Sequence, residues 1–250
     1  EYLGVLRATN PDLPLTERSL RERLLNDGRL GITIAFARSL ATFDLQNYLV
    51  PGWQDMSRST WQEIIATAER HNDPGRFTTF IGYEWTSQVP PGNNLHRVVV
   101  YRDGGDKAGQ VEPFTTYPPA GSTTPEDLWQ VLQAYQDKTG GQVLAIAHNG
   151  NLSNGMMFPW DINPASKEPL TREYAQTRIN WEPLYEATQI KGDGETHPFL
   201  SKNDEFANFE RWDKANLNLS EPKKNEMLQG EYARTALQTG LQLEQKLGVN

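Results

Sequence analysis

Hydrophobic positions along the chain fall into blocks of two different periods. Thr16-Glu17 followed by Leu20 and Leu24 predicts a short helix with a threonine N-cap, and a second helix is expected over 32–40. In Ser59-Thr60-Trp61-Gln62-Glu63 two overlapping capping boxes precede Ile64, Ile65 and Ala68. A helix should start there and stop near Asp73-Pro74-Gly75. Phe77-Thr78-Thr79-Phe80-Ile81-Gly82-Tyr83 is rich in aromatic and β-branched residues and reads as a buried strand ending in Glu84. After the turn Pro90-Pro91-Gly92, Val98-Val99-Val100-Tyr101 forms a second strand, with His96 just before it. Residues 102–123, dense in Gly, Pro and Thr, read as a long loop.

The next helix is the best marked. Thr124 is an N-cap, Pro125 takes the first helical position, and Glu126 and Asp127 complement the helix dipole. Leu128, Val131, Leu132 and Tyr135 supply its apolar face, and Gly140-Gly141 its stop. Val143-Leu144-Ala145-Ile146-Ala147 is an apolar strand ending at His148. Tyr185-Glu186-Ala187-Thr188-Gln189-Ile190 is another strand candidate, running into the loop from Lys191 to Pro198. A last helix covers about 231–247, with Gly248 as its C-cap. Alternating strands and helices around an apolar central strand favour an α/β fold with parallel strands and covering helices, in a single domain over residues 1–250. Such sheets carry their sites at the carboxyl ends of strands, where Glu84 and His148 fall.

Composition narrows the chemistry. The net charge of −8, with no local basic cluster, argues against a nucleic-acid or anionic-membrane partner. Absence of cysteine removes disulfides, thiolate zinc sites and cysteine nucleophiles. No apolar run approaches the ~18 residues of a membrane span. P-loop, Gly-x-Ser-x-Gly and His-Glu-x-x-His patterns do not occur.

Among the four histidines, His71 closes a helix and reads as a solvated residue. His96, His148 and His197 stand at strand edges or in polar loops. Together with Glu84 they suggest a nitrogen–oxygen metal site suited to zinc, manganese or iron, the alternative being satisfied polar residues. The stretch from His148 through Asn149 and Asn151 to Gly155 packs amides and glycines beside an imidazole, partly as ordinary turn chemistry. Lys191, Glu195 and His197 share one turn, where Lys191 could clamp an anionic oxygen and His197 could ligate metal or donate a proton. Glu182 and Glu186 are too weakly patterned to argue for glycoside chemistry. The seven Trp read as core or rim residues more readily than as sugar platforms.

The segments from Phe80 to Ser87, Asn94 to Arg97, Ala147 to Gly155 and Gln189 to Pro198, with the opening Glu1–Leu6, resemble a bacterial family known as a domain of unknown function and related to the PHP (polymerase and histidinol phosphatase) metal-dependent phosphoesterases. The resemblance implies an incomplete, distorted (β/α) barrel of PHP type. It implies Glu84, His96 and His148 as metal ligands, and Glu195 and His197 in catalysis. Lys191, Arg97, Asn149 and Asn151 are expected to bind a small anionic substrate. Two or three divalent ions (Zn, Mn or Fe) are expected in a full-length protein. Because no His-x-His, Asp-His or Asp-x-His occurs here, the chain is expected to be an internal excerpt, inactive alone. Phosphomonoester or phosphodiester hydrolysis is the expected activity. The alternatives are hydrolysis of another ester or a sulfate, and a non-catalytic carbohydrate- or ligand-binding module. Export to the periplasm would suit such a hydrolase.

Overall fold

A computed structural model describes residues 53–117 and 120–249 of the protein. The helices expected near Thr16–Leu24 and over 32–40 lie outside the described residues, as does the opening Glu1–Leu6. The chain divides after Ser57, and the architecture below belongs to residues 58–250, entered by the helix that begins at Trp53.

Helix α1 (Trp53–His71) leads into β1 (Ile81–Trp85), and the short strands β2 (Gln88–Val89) and β3 (Asn93–Asn94) precede β4 (Arg97–Tyr101). Helices α2 (Gly105–Ala108) and α3 (Pro125–Thr139) come before β5 (Val143–Ala147), and α4 (Arg172–Trp181) before β6 (Leu184–Tyr185). A hairpin of β7 (Thr188–Gln189) and β8 (Gly192–Asp193) follows, then irregular chain, then α5 (Ala233–Leu247). No helix among the described residues is long and apolar enough to cross a membrane.

The central sheet has the order β1-β4-β5-β6. Only the β5–β6 pair is parallel; β1–β4 and β4–β5 are antiparallel. The expected parallel sheet is therefore mixed, and the described strands close no barrel. The cause lies in the connections. Between β1 and β4 there is no crossover helix, so the two strands pair antiparallel. Between β4 and β5 the long loop before α3 carries the chain back to the end it left, so Val143 opens β5 opposite Tyr101.

Strand alternation sorts the side chains. Ile81, Trp85, Val99, Tyr101, Val143 and Ala145 face a core completed by Trp61 and Ile65 of α1, by Leu128, Trp129, Leu132 and Tyr135 of α3, and by Trp181 of α4. Each large side chain buried there contributes about 1.5–3 kcal/mol. Four of the tryptophans, Trp61, Trp85, Trp129 and Trp181, are thus core residues and offer no sugar platform. Helix α3 starts after Thr124 with Pro125 in its first turn and ends on the left-handed Gly140, as its sequence predicts. Helix α5 likewise ends on left-handed Gly248.

Three boundaries differ from expectation. Helix α1 runs through Ser59 and Thr60 instead of starting there. The strand expected from Phe77 begins only at Ile81, with Phe77 and Phe80 exposed. The strand expected over Tyr185–Ile190 is two fragments in different sheets, because β6 leaves its partner once Glu186 N has bonded the Ala147 carbonyl.

Two buried ion networks tie distant segments together, one joining β4 to the end of α4 and the other joining the loop after β5 to the chain before α5. Arg97 is paired through Nε (2.9 Å) and Nη2 (3.3 Å) with Glu182, which also accepts from Trp129 Nε1 (2.9 Å) and lies 3.2 Å from Arg178 Nη2. Farther along, fully buried Glu231 binds Lys223 and accepts from Gly155 N (3.1 Å). Burial pushes the Glu231 carboxyl up from 4.5 to about 7 against the pull of Lys223, and burial pushes the Lys223 ammonium down. A raised acid keeps its proton longer in the folded chain than in the unfolded one. Stability should therefore fall as pH rises from about 4.5 through about 7, by up to about 3 kcal/mol. Urea unfolding between about pH 5 and 8 checks this; Glu231→Gln should flatten the slope.

Candidate metal centre

The row Trp85, Arg97 and Ala147 is in register across three strands, and all three side chains are buried on the core face. Glu84 precedes Trp85, His96 precedes Arg97, and His148 follows Ala147. A shift of one position reverses the face, so alternation places these three on the other side of the sheet together. Antiparallel pairing completes the arrangement. The carboxyl ends of β1 and β5 and the amino end of β4 share one edge, and the ladder extends there through His148 N to the His96 carbonyl (3.4 Å). Glu84 falls within the carboxyl-terminal end of its strand, His148 directly follows its strand, and His96 stands just before its strand, as the sequence predicts.

The three side chains meet closely. His96 Nδ1 lies 2.8 Å and His148 Nε2 3.1 Å from Glu84 Oε1. One ligand atom from each residue lies within 4.8 Å of the others. The imidazoles are buried while the Glu84 side chain is 47 % exposed, so the carboxylate opens the cluster to solvent. Hydrogen bonds from His148 and then His96 hold the Glu84 carboxyl well below the usual carboxylate range. Burial lowers the proton affinity of His96, with Glu84 opposing. An ionised carboxylate beside an imidazole that resists protonation is the state a divalent cation requires. His96 Nε2 and His148 Nδ1 are buried without partners, capacity that an ion with its attendant waters or ligand can fill.

Asn94, which sequence reasoning passed over, fixes the frame. Its Oδ1 accepts from His96 N (2.9 Å), and its Nδ2 donates to the carbonyls of His148 (3.3 Å) and Asn149 (3.0 Å). The doublet Asn93-Asn94 two residues before a candidate ligand was the available signal. Gly150 lets the same loop approach Glu231; a Cβ there would overlap the Glu231 carbonyl and the Tyr185 hydroxyl. Gly150→Ala should cost about 1–3 kcal/mol, readable by thermal denaturation.

The remaining expected site residues divide. Asn149 and Asn151 are buried on the loop after His148, and Asn151 Nδ2 donates to the Lys191 carbonyl (3.1 Å). Lys191 stands exposed on the β7–β8 turn. Arg97, expected to meet an anionic substrate, is instead buried on the opposite face against Glu182, because it sits one position from His96 on an alternating strand. Glu195, expected in catalysis, pairs with Arg234 at 2.7 Å. His197 has both ring nitrogens engaged, accepting from Phe199 N (3.0 Å) and facing Asp213 Oδ2 (2.9 Å). Asp213 was not legible beforehand, being far from His197 in sequence. His71 is exposed at the end of α1, as expected.

No curated protein and no solved structure matches the chain. A family model described as "Protein of unknown function (DUF3604)" matches residues 32–250. With that match covering most of its length and both of the candidate imidazole ligands, the chain belongs to the DUF3604 family.

Proposed function

We propose that the protein is a metal-dependent hydrolase of the PHP type acting on phosphomonoesters or phosphodiesters, with Glu84, His96 and His148 holding a divalent ion. The observation that carries this reading is the convergence of two buried imidazoles and one solvent-open carboxylate at a single sheet edge. Three protein ligands of this kind are the usual set for a catalytic ion that keeps a position open. When bound, the ion would supply Lewis acidity and lower the pKa of a coordinated water.

The chain's own residues set the stage for that chemistry. Glu84 presents a charged oxygen toward solvent, and the two imidazoles are buried behind it. Asn94 locks the backbone of both histidines, so neither ligand has to be ordered on binding. Lys191 is the cation placed to meet an anionic oxygen. The PHP assignment draws on the sequence resemblance, and the mixed sheet supports an α/β frame of coarser kind.

The test is hydrolysis of p-nitrophenyl phosphate by this chain and by a version extended at both ends, each manganese-loaded or chelator-treated. Turnover is expected from the loaded extended form and not from the chelated one. No turnover in either, or turnover indifferent to chelation, removes the reading.

A further inference from the structure

We infer that the loop after β5 and Lys191 form a subsite beside the Glu84–His96–His148 cluster that takes a phosphate ester of a polyhydroxylated compound. This deepens the hydrolase reading and rests on it for the role of the ester. The observation is an excess of unpaired amide atoms. Asn149 is 2 % exposed, and neither its Nδ2 nor its Oδ1 has a partner. Asn151 is fully buried; its Nδ2 donates to the carbonyls of Lys191 and Trp212, both at 3.1 Å, and its Oδ1 has no partner. Protein interiors rarely leave such groups unmet, because each loses its water bonds without replacement. Asn149 adopts a left-handed backbone at φ 52°, a region asparagine enters more readily than most residues.

These groups lie on the loop that leaves the Glu84–His96–His148 cluster. Asn149 follows His148 directly, and Asn94 binds both of their carbonyls while accepting from His96 N. Lys191 is tied to the same loop by Asn151.

The chemistry of the unmet atoms selects the ligand. Asn149 Nδ2 and the Lys191 ammonium are donors and suit phosphoryl oxygens. The Oδ1 atoms of Asn149 and Asn151 are acceptors and need donors, which a fully ionised phosphate lacks. Hydroxyl groups on the esterified compound supply them. A bare phosphate, or a phosphate on an alkyl chain, would leave both amide oxygens unpaired.

Calorimetric titration of the manganese-loaded protein with glycerol 3-phosphate and with ethyl phosphate separates the cases. Glycerol 3-phosphate should bind about tenfold tighter. Asn149→Gly keeps the left-handed backbone and should cut that preference several-fold, with the Asn151 Oδ1 acceptor left in place. Lys191→Ala should weaken both ligands alike. Equal affinities in the wild type, or a preference undiminished in Asn149→Gly, would overturn the subsite. Metal content measured on the same samples keeps the two readings apart: a preference without bound metal supports the subsite and removes the metal centre, whereas bound metal without a preference removes the subsite alone.

Discussion

Glu182→Ala should destabilise the protein by about 3–5 kcal/mol, the largest loss expected from any single surface-distant substitution. The carboxylate is 2 % exposed and neutralises Arg97, equally buried, while touching Arg178 and Trp129. Burial alone would raise its pKa, yet Arg97 and Arg178 reverse the sign and keep it ionised. Removing it strands the Arg97 guanidinium in the interior with one remaining acceptor, the Leu95 carbonyl (2.5 Å). The comparison is Glu186→Ala, four positions on, whose carboxylate accepts only from nearby Gln189 (2.7 Å) and whose loss should stay within about 0.5 kcal/mol. Replacing the buried pair together, as Arg97→Met with Glu182→Leu, should recover much of the loss, because an apolar pair carries no desolvation penalty. Urea unfolding of the four proteins decides it. A loss below about 1 kcal/mol in Glu182→Ala would mean that water reaches Arg97 and that the pair is not a buried one.

These two acids show how far the sequence could be read. Spacing alone gave Glu182 and Glu186 equal standing, and nothing local distinguishes a carboxylate that neutralises an arginine eighty-five positions away. Arg97 itself was legible in principle. Period-two alternation from Val99 and Tyr101 puts it on the core face, so its neighbour His96 belongs on the other. The helix termini at Thr124, Gly140 and Gly248 were readable because caps are local chemistry. The pairing direction of β1, β4 and β5 was not, since it depends on where a long irregular loop carries the chain. The candidate trio meets because β4 runs antiparallel to both neighbours: each member sits one position from a core residue, and a parallel β4 would have carried His96 to the opposite end of the sheet from Glu84 and His148. The partners of Glu195 and His197 are Arg234 and Asp213, 39 and 16 positions on, and no local pattern announces either contact.

Glu84→Ala should lower divalent-metal affinity by at least about 100-fold, more than the loss of an outer-shell partner usually costs, while leaving the fold intact. Glu84 is the single carboxylate of the cluster, and its Oε1 is the atom that both imidazoles face. Its side chain is half exposed on the face of the sheet away from the core, so no packing is lost with it. The substitution has a second signature. A carboxyl held below its unfolded value adds stability at pH above about 4.5 that disappears as the pH falls. The wild type should therefore show an acid-side decline in stability that the variant lacks in part. His71→Ala is the control, since His71 is an exposed helix-end imidazole and should change neither metal content nor the acid limb. Metal analysis by mass spectrometry on the three proteins, dialysed against the same manganese or zinc buffer, reads the outcome directly. Equal metal in wild type and Glu84→Ala would leave the trio as a hydrogen-bonded network, with the carboxylate serving only to orient two histidines. Metal retained by wild type and His71→Ala but lost from Glu84→Ala would mean that the register row Trp85–Arg97–Ala147 has the further effect of building a cation site one residue away on the opposite face.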